Sequence, residues 1–357
     1  MRLDENQQAD LPGIQRLVEG KKRLQDGEDA CAYGTAMDGP VSAGIVLEVR
    51  KGNFLTELFE APEMPAGTPP CPRIVRTSPR GMLEQFDLGI SALVAAGDEV
   101  EVVVPPVSGA FEHEAVLTRV RSRRSHFRRL HPSGRAIQTL AANVDQVLVV
   151  GSAQEPVFRP GFVDRVLVCA QTSDLPTLLV LNKIDLGVTQ ETLDLLEVYR
   201  GLGLPVLKTS ILDTGSLEAL RAALVGKTSV LCGHSGVGKS SLLVALAPEL
   251  SPHVRMGEVS AYSSKGKHTT THARLFRACG ATIIDTPGVR ELTPVDTDRR
   301  NLWGWFPEIA SRQGQCAFAD CTHIVEKKCA ILTAVAAGSI HPRRHESYVR
   351  IYETLPS

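Results

Sequence analysis

Read for its apolar and polar positions, the chain changes character four times. Residues 1–36 are polar and charged with no sustained apolar period, which predicts an extension that adds little to any core. Over 37–118 come short β-rich runs, GIVLEV, FLTELF and EVEVVV, broken by glycine, proline and charged clusters, the pattern of a small all-β barrel or sandwich. The Gly-Asp turn of AAGDEVEVVV, followed by alternating apolar positions, predicts the closing strands of an OB-type β-barrel. After a basic linker at 119–139, residues 140–295 alternate apolar runs with helical segments, as in an α/β domain with a mostly parallel sheet. Its predicted strands are VDQVLVV, TLLVLN, PVLKTS, TSVLCG and ATIIDT. Residues 296–357 read as a helical unit bearing cysteine and histidine. The fold class expected is thus multidomain α/β.

The basic stretch RVRSRRSHFRRLHPSGR holds seven arginines and no acid, with His126, Phe127 and His131 interleaved. A solvated linker has this composition, and so does a contact for single-stranded or looped RNA. The sequence alone does not choose between them. Net charge over all 357 residues is −1, so whole-chain charge argues for neither a nucleic-acid nor a membrane partner.

The opening MRLDENQQADLPG carries acids and amides where a signal peptide would carry positive charge. No apolar run reaches the roughly 18 residues that crossing a bilayer requires. A cytoplasmic chain without membrane contact is expected, and a monomer. Of eight cysteines, three lie within fourteen residues beside a histidine, which in a reducing compartment points to metal rather than disulfides. Cys31, Cys71, Cys169, Cys232 and Cys279 read as small core residues.

Four predicted strands run into loops with chemical content. Gly233-His234-Ser235-Gly236-Val237-Gly238-Lys239-Ser240 fits G-x-x-x-x-G-K-[ST] between the strand TSVLC and a helical run, and Ser241 completes the stretch assigned to nucleotide. Glycines there let backbone N–H groups cradle phosphates, Lys239 reaches the β- and γ-phosphates, and Ser240 ligates Mg²⁺. Asn182-Lys183-Ile184-Asp185 offers a carboxylate, Asp185, able to accept from both the N1–H and the N2 amino group of guanine. Adenine presents no such edge, so the pairing selects GTP and GDP over ATP. Asn182 and Lys183 would brace the loop and cover the base. Asp285-Thr286-Pro287-Gly288 supplies a carboxylate for Mg²⁺ through water and, at Gly288, an N–H that senses the γ-phosphate. Thr209-Ser210-Ile211 is expected to bring a backbone N–H to guanine O6, with Ser210 in the nucleotide site. Lys265-Gly266-Lys267-His268-Thr269-Thr270-Thr271-His272 is a polar loop of the kind that orders around Mg²⁺, and Thr270 is the ligand expected from it.

Asn182 precedes Gly233, whereas ordinary GTPases place the phosphate loop first. The chain therefore reads as circularly permuted, which a site built from strand ends tolerates. In the last unit, Cys316-x4-Cys321-x-His323-x5-Cys329 has spacing suited to a closed, structural Zn²⁺ site.

From about residue 37 onward the chain resembles the ribosome small subunit-dependent GTPase A family (RsgA, also called YjeQ). The resemblance rests on AANVDQVLVV, NKID, GHSGVGKSS, KGKHTTTH, DTPGVRE and CAFADCTHIVEKKCA. It implies an OB domain, a permuted GTPase domain and a zinc-binding helical domain. It also implies late maturation of the 30S ribosomal subunit, contact with 16S rRNA through the OB and zinc domains, and GTP hydrolysis stimulated by the subunit. Residues 50–90 depart from the regular barrel strands of relatives. Val289 stands where many GTPases carry a water-orienting glutamine, so slow intrinsic hydrolysis is expected, with His268 either completing the site on ribosomal RNA or standing as an exposed loop residue. A P-loop kinase or ATPase would use Lys239 and Asp285 equally well, but not Asn182 to Asp185. An RNA-binding module with a vestigial nucleotide site is the third reading, and it predicts no hydrolysis.

Overall fold

The computed structural model describes residues 39–50, 52–64, 71–79, 94–105, 114–131, 136–250, 273–286 and 292–355, so the extension 1–36 lies outside the described residues. The chain divides into two compact units. The first runs to His126 and takes in residues 138–144 and 273–275, and the second holds the rest.

The first unit is a barrel of β1 (Val41–Val49), β2 (Phe54–Leu58), β3 (Ile74–Ser78), β4 (Glu99–Val103) and β5 (Glu114–Val120). Neighbours run β1-β2-β3-β5-β4, and β4 pairs back with β1, which closes the sheet and leaves no free edge. All pairs are antiparallel except β3 with β5, the arrangement of an OB-type barrel. Strand β2 shows the expected alternation, with Phe54, Thr56 and Leu58 buried. The inward hydroxyl of Thr56 is satisfied by Thr77 at 2.8 Å, inside a core of Val46, Leu58, Val75, Val100, Val102 and Leu117.

The turn before β4 is held by a buried charge pair. Asp98, fully buried, accepts from Nε and Nη2 of Arg123 at 2.7 and 2.8 Å and from the amide of Ala95 at 2.7 Å. Arg123 in turn donates to Thr139 at 3.2 Å. The basic segment is therefore partly internal. In the second unit, Phe127 is fully buried, so its ring is not available to stack on a base, and Arg128 pairs with Asp296.

Strands β6 (His126–Leu130) and β7 (Ile137–Ala142) follow the barrel. The second unit then builds β8 (Gln146–Ser152), α1 (Pro160–Gln171), β9 (Thr177–Asn182), α2 (Gln190–Gly201), β10 (Val206–Lys208), α3 (Thr214–Leu224), β11 (Thr228–Gly233) and α4 (Lys239–Leu246). Strands β12 (Arg274–Ala278) and β13 (Ala281–Asp285) come next. Strands β10, β9, β8, β11 and β13 lie side by side and pair parallel throughout. Strand β8 is buried at all seven positions, which a near-continuous apolar run between helical layers requires. One face carries Leu148, Val180, Leu231 and Ile283 against Leu220 of α3 and Leu243 of α4. Helix starts follow local chemistry. Pro160 opens α1, the Thr189 hydroxyl accepts the Thr192 amide at α2, and Asp213 accepts the Gly215 amide at α3.

The chain ends with α5 (Pro307–Ala310), α6 (Ala330–Ala336) and α7 (Pro342–Thr354). Their core of Leu302, Phe306, Ile309, Ile331, Ile340, Tyr348 and Ile351 includes Val168 from α1. Helix α1 thus packs in the C-terminal core while leading into the strand before Asn182. Cys71, Cys169 and Cys232 are buried as expected, Cys279 is half-buried, and Cys31 falls outside the described residues. Among the described residues, no helix is long and apolar enough to cross a membrane.

The Asp98–Arg123 pair gives a stability test. Arg123→Met strands a buried carboxylate and is expected to cost about 3–5 kcal/mol, read as a lower denaturant midpoint, with much of it recovered in Asp98→Leu/Arg123→Met. An unchanged midpoint in the single variant would show that the pair does not hold the barrel.

Candidate functional site

Parallel pairing puts the carboxyl ends of β9, β10, β11 and β13 along one edge, where open α/β sheets bind ligands. Each continues into a motif: Asn182 to Asp185, Thr209 to Ile211, Gly233 to Ser240, and Asp285 with Thr286.

Asn182 joins two of these loops. Its Nδ2 donates to the Val237 carbonyl at 3.0 Å, and its Oδ1 accepts from the Thr209 hydroxyl at 3.1 Å. The side chain is buried, so both polar ends are matched where water cannot substitute. Gly238, the N-cap of α4, has φ +93°, and a Cβ there would stand 2.4 Å from Asn182 Nδ2. Only glycine combines that left-handed backbone with so close an approach. Lys183 has φ +60° and donates from Nζ to the Glu155 carbonyl at 2.5 Å. Asp185 is exposed, with one oxygen held by the Ser210 hydroxyl at 2.5 Å. The Ser210 amide is already donated to Ser216 at 3.1 Å, so Ser210 meets the site through Asp185.

Lys239 donates to the carbonyls of Gly233 and His234 at 2.8 and 3.1 Å, folding the phosphate loop around its own ammonium. Burial pushes Lys239 down, and the Asp285 charge pulls it partly back. Burial likewise pushes Asp285 up to about 6, opposed by Lys239. Asp285 Oδ1 is buried with no hydrogen-bond partner among the described residues. An orphaned carboxylate oxygen beside a buried ammonium fits a site that takes a cation and phosphate oxygens. Ser235 and Ser241 are exposed at the loop surface and Ser240 is half-buried. His268, Thr270, Gly288 and Val289 lie outside the described residues.

In the C-terminal unit, Cys316, Cys321, His323 and Cys329 bring four ligand-type atoms within 4.8 Å of one another. Cys316 Sγ lies 3.9 Å from Cys329 Sγ and 3.5 Å from His323 Nδ1, and Cys329 Sγ lies 3.6 Å from that nitrogen. A tetrahedral Zn²⁺ with ordinary bond lengths sets edges of about 3.8 Å between sulfurs and about 3.6 Å from sulfur to nitrogen. The donor set therefore fits zinc in type and in spacing. Burial pushes His323 down, which favours the neutral ring that ligates metal. Left-handed backbone at His323 and Lys328, φ +64° and +63°, turns the two halves of the loop toward each other.

A model of the RsgA GTPase family matches residues 120–294. A small ribosomal subunit biogenesis GTPase RsgA from Chlorobaculum parvum is 36% identical over 322 residues, which span 88% of this chain and 98% of that protein. The chain belongs to the RsgA GTPase family. It is a GTP hydrolase, as membership of that family implies. The protein of the same description from Chlorobaculum tepidum is 39% identical over 74% of this chain and 86% of its own length. Among solved structures, YjeQ from Thermotoga maritima matches with TM-score 0.58 and 30% identity, over 88% of this chain and 98% of that one. YloQ, described as a circularly permuted GTPase, matches with TM-score 0.56 and 25% identity, over 91% of this chain and all of that one.

Within this RsgA-type site, the sequence reading passed over the loop after β8. Strand β8 is parallel to the others, so its carboxyl end reaches the same edge. There the Glu155 carbonyl takes Lys183, and Pro156 Cδ would lie 3.5 Å from a Cβ at Gly236. Phe162 of α1 lies against the His234 ring at 4.3 Å between centroids. The strand VDQVLVV was the available signal, because every strand of a parallel set contributes a loop at this edge.

Gly238→Ala is expected to weaken GDP binding at least about tenfold in a titration with fluorescent GDP, since backbone strain and a clash with Asn182 combine. Gly280→Ala is the control. It has φ +73° with open space around a Cβ, and should leave affinity unchanged.

Proposed function

We propose that this GTPase acts in biogenesis of the small ribosomal subunit, binding that subunit and hydrolysing GTP faster when bound to it. The observation that carries the nucleotide assignment is the Asn182 side chain, which ties the guanine-reading loop to the phosphate loop through Val237 and to the loop after β10 through Thr209. That the chain acts on the small subunit is supported by the names of its relatives, which align over nearly their full length.

In this reading Asp185, oriented by Ser210, accepts from guanine N1–H and N2, and Lys183 covers the base. The backbone amides from Gly236 to Ser241 cradle the α- and β-phosphates at the start of α4. Lys239 releases its loop carbonyls to reach the β- and γ-phosphates, and Gly288 senses the γ-phosphate. Ser240, Thr270 and Asp285 would hold Mg²⁺, which would supply positive charge to offset the negative charge developing on the phosphates. Water attacks the γ-phosphorus as its bond to the β–γ bridging oxygen breaks, so that GDP leaves, inorganic phosphate forms and the water's proton passes to phosphate or solvent. Val289 cannot orient that water, so His268 does when the chain is bound to rRNA. Cys316, Cys321, His323 and Cys329 hold one structural Zn²⁺, and the barrel and the zinc-bearing helices contact 16S rRNA. Residues 37–118, 119–139, 140–295 and 296–357 serve as barrel, linker, GTPase domain and zinc domain of a cytoplasmic monomer.

GTP turnover with and without purified 30S subunits tests this directly. Wild type should be stimulated strongly by the subunit. Lys239→Ala should show neither basal nor stimulated turnover, and His268→Ala should retain GDP binding while losing most of the stimulation. Equal turnover with and without subunits in the wild type would refute the proposal. Elemental analysis should find about one zinc per chain, lost in Cys321→Ser/Cys329→Ser.

A further inference from the structure

The C-terminal unit reaches the phosphate loop by a route through α1. Arg344 of α7 is 3% exposed and sits between two carboxylates. It donates from Nη1 to Asp164 of α1 at 2.5 Å, and from Nε and Nη2 to the two oxygens of Glu308 at 2.7 and 3.2 Å. The guanidinium also lies over the rings of Phe306 and Tyr199, at 4.7 and 5.7 Å from their centroids. Asp164, fully buried, accepts in addition from the Tyr199 hydroxyl at 2.7 Å. Two residues before Asp164, Phe162 meets His234, whose carbonyl holds Lys239. On the far side, α7 grips the cysteine-histidine loop: His345 Nε2 lies 2.7 Å from the His323 carbonyl, and the Tyr348 hydroxyl donates to the Thr322 carbonyl at 3.0 Å.

A buried ion pair resists separation, because either charge left alone in the interior is uncompensated. Separating α1 from α7 is therefore costly. A small cleft lined by Val150, Pro156, Phe162, Val163, His234 and Val237 lies between the first turn of α1 and the phosphate loop. Across that cleft the Phe162 ring meets the His234 ring of the loop.

We infer that Phe162 and Arg344 are positioning residues for the phosphate loop, coupling it through α1 and α7 to the Cys316–Cys329 metal cluster. Metal binding fixes the loop that α7 grips, α7 fixes α1 through Arg344, and Phe162 fixes His234. Coupling between two binding sites is reciprocal, so nucleotide must tighten metal as much as metal tightens nucleotide. The inference rests on the guanine-nucleotide reading above.

The test uses the full chain, loaded with zinc or stripped by a chelator, and reads GDP affinity with fluorescent GDP. Stripping is expected to weaken GDP binding by wild type about fivefold or more. Zinc affinity, measured by competition with a chromophoric chelator, should tighten by the same factor when GDP is saturating. Phe162→Ala should keep its zinc, bind GDP more weakly, and no longer respond to stripping. Arg344→Lys, which keeps the charge but not the two-pronged contact, should fall between the two. Should Arg344→Lys fail to fold, Phe162→Ala decides alone. A wild type that binds GDP with the same affinity loaded and stripped overturns the inference, as does a Phe162→Ala chain that responds to stripping as wild type does. A loaded wild type that binds no GDP would sink the nucleotide reading as well.

Discussion

The site depends on one buried amide. Asn182 has a donor and an acceptor that must both be matched away from water, and it matches them with the Val237 carbonyl on one loop and the Thr209 hydroxyl on another. Leaving either end unpaired costs about 1–3 kcal/mol, so the loops after β9, β10 and β11 are held in one arrangement. Gly238 follows from that constraint, since the amide occupies the space a Cβ would need. Lys183 and Asp185 follow as well: a turn anchored at Asn182 carries one past Gly238 to the Glu155 carbonyl and the other toward Ser210.

Charge is buried in three places, each time with a partner. Arg123 serves Asp98 in the barrel, Arg344 serves Asp164 and Glu308 beside α1, and Lys239 faces Asp285 at the strand ends. The first two are closed by direct ion pairs, although Asp164 Oδ2, like Asp285 Oδ1, has no hydrogen-bond partner among the described residues. The third is not: Lys239 turns to backbone carbonyls, and one oxygen of Asp285 has no partner among the described residues. A buried pair of opposite charges held apart in this way is a binding arrangement, because a ligand carrying both phosphate and a divalent cation matches each side with its opposite.

The motifs legible in the sequence are those whose chemistry demands particular side chains. A phosphate loop needs glycines and a lysine, guanine recognition needs a carboxylate, and a tetrahedral metal site needs cysteine and histidine. Contacts made by main chain leave no such mark. Nothing in Glu155 as a residue type announces that its carbonyl will take Lys183, and His234 gives no sign that Phe162, 72 positions earlier, will lie against its ring. The basic segment stayed ambiguous for a related reason. Arginine is the residue expected at RNA and equally the residue best able to satisfy a buried carboxylate with two parallel bonds, and only the fold reveals that Arg123 has Asp98 to satisfy.

The reordered motifs also find their reason in the parallel sheet. Every strand that contributes to the site delivers its loop at the same edge, so the loops meet whatever order the chain visits them in. What order does change is the neighbour of each element. Here α1 lies between the strand before Glu155 and the strand before Asn182, and it still sends Val168 into the C-terminal core and Asp164 to Arg344. A helix that shares one face with a second core cannot relax independently of it. A chain of packed side chains from the nucleotide edge toward the cysteine-histidine loop thus runs through α1, without requiring the two sites to touch.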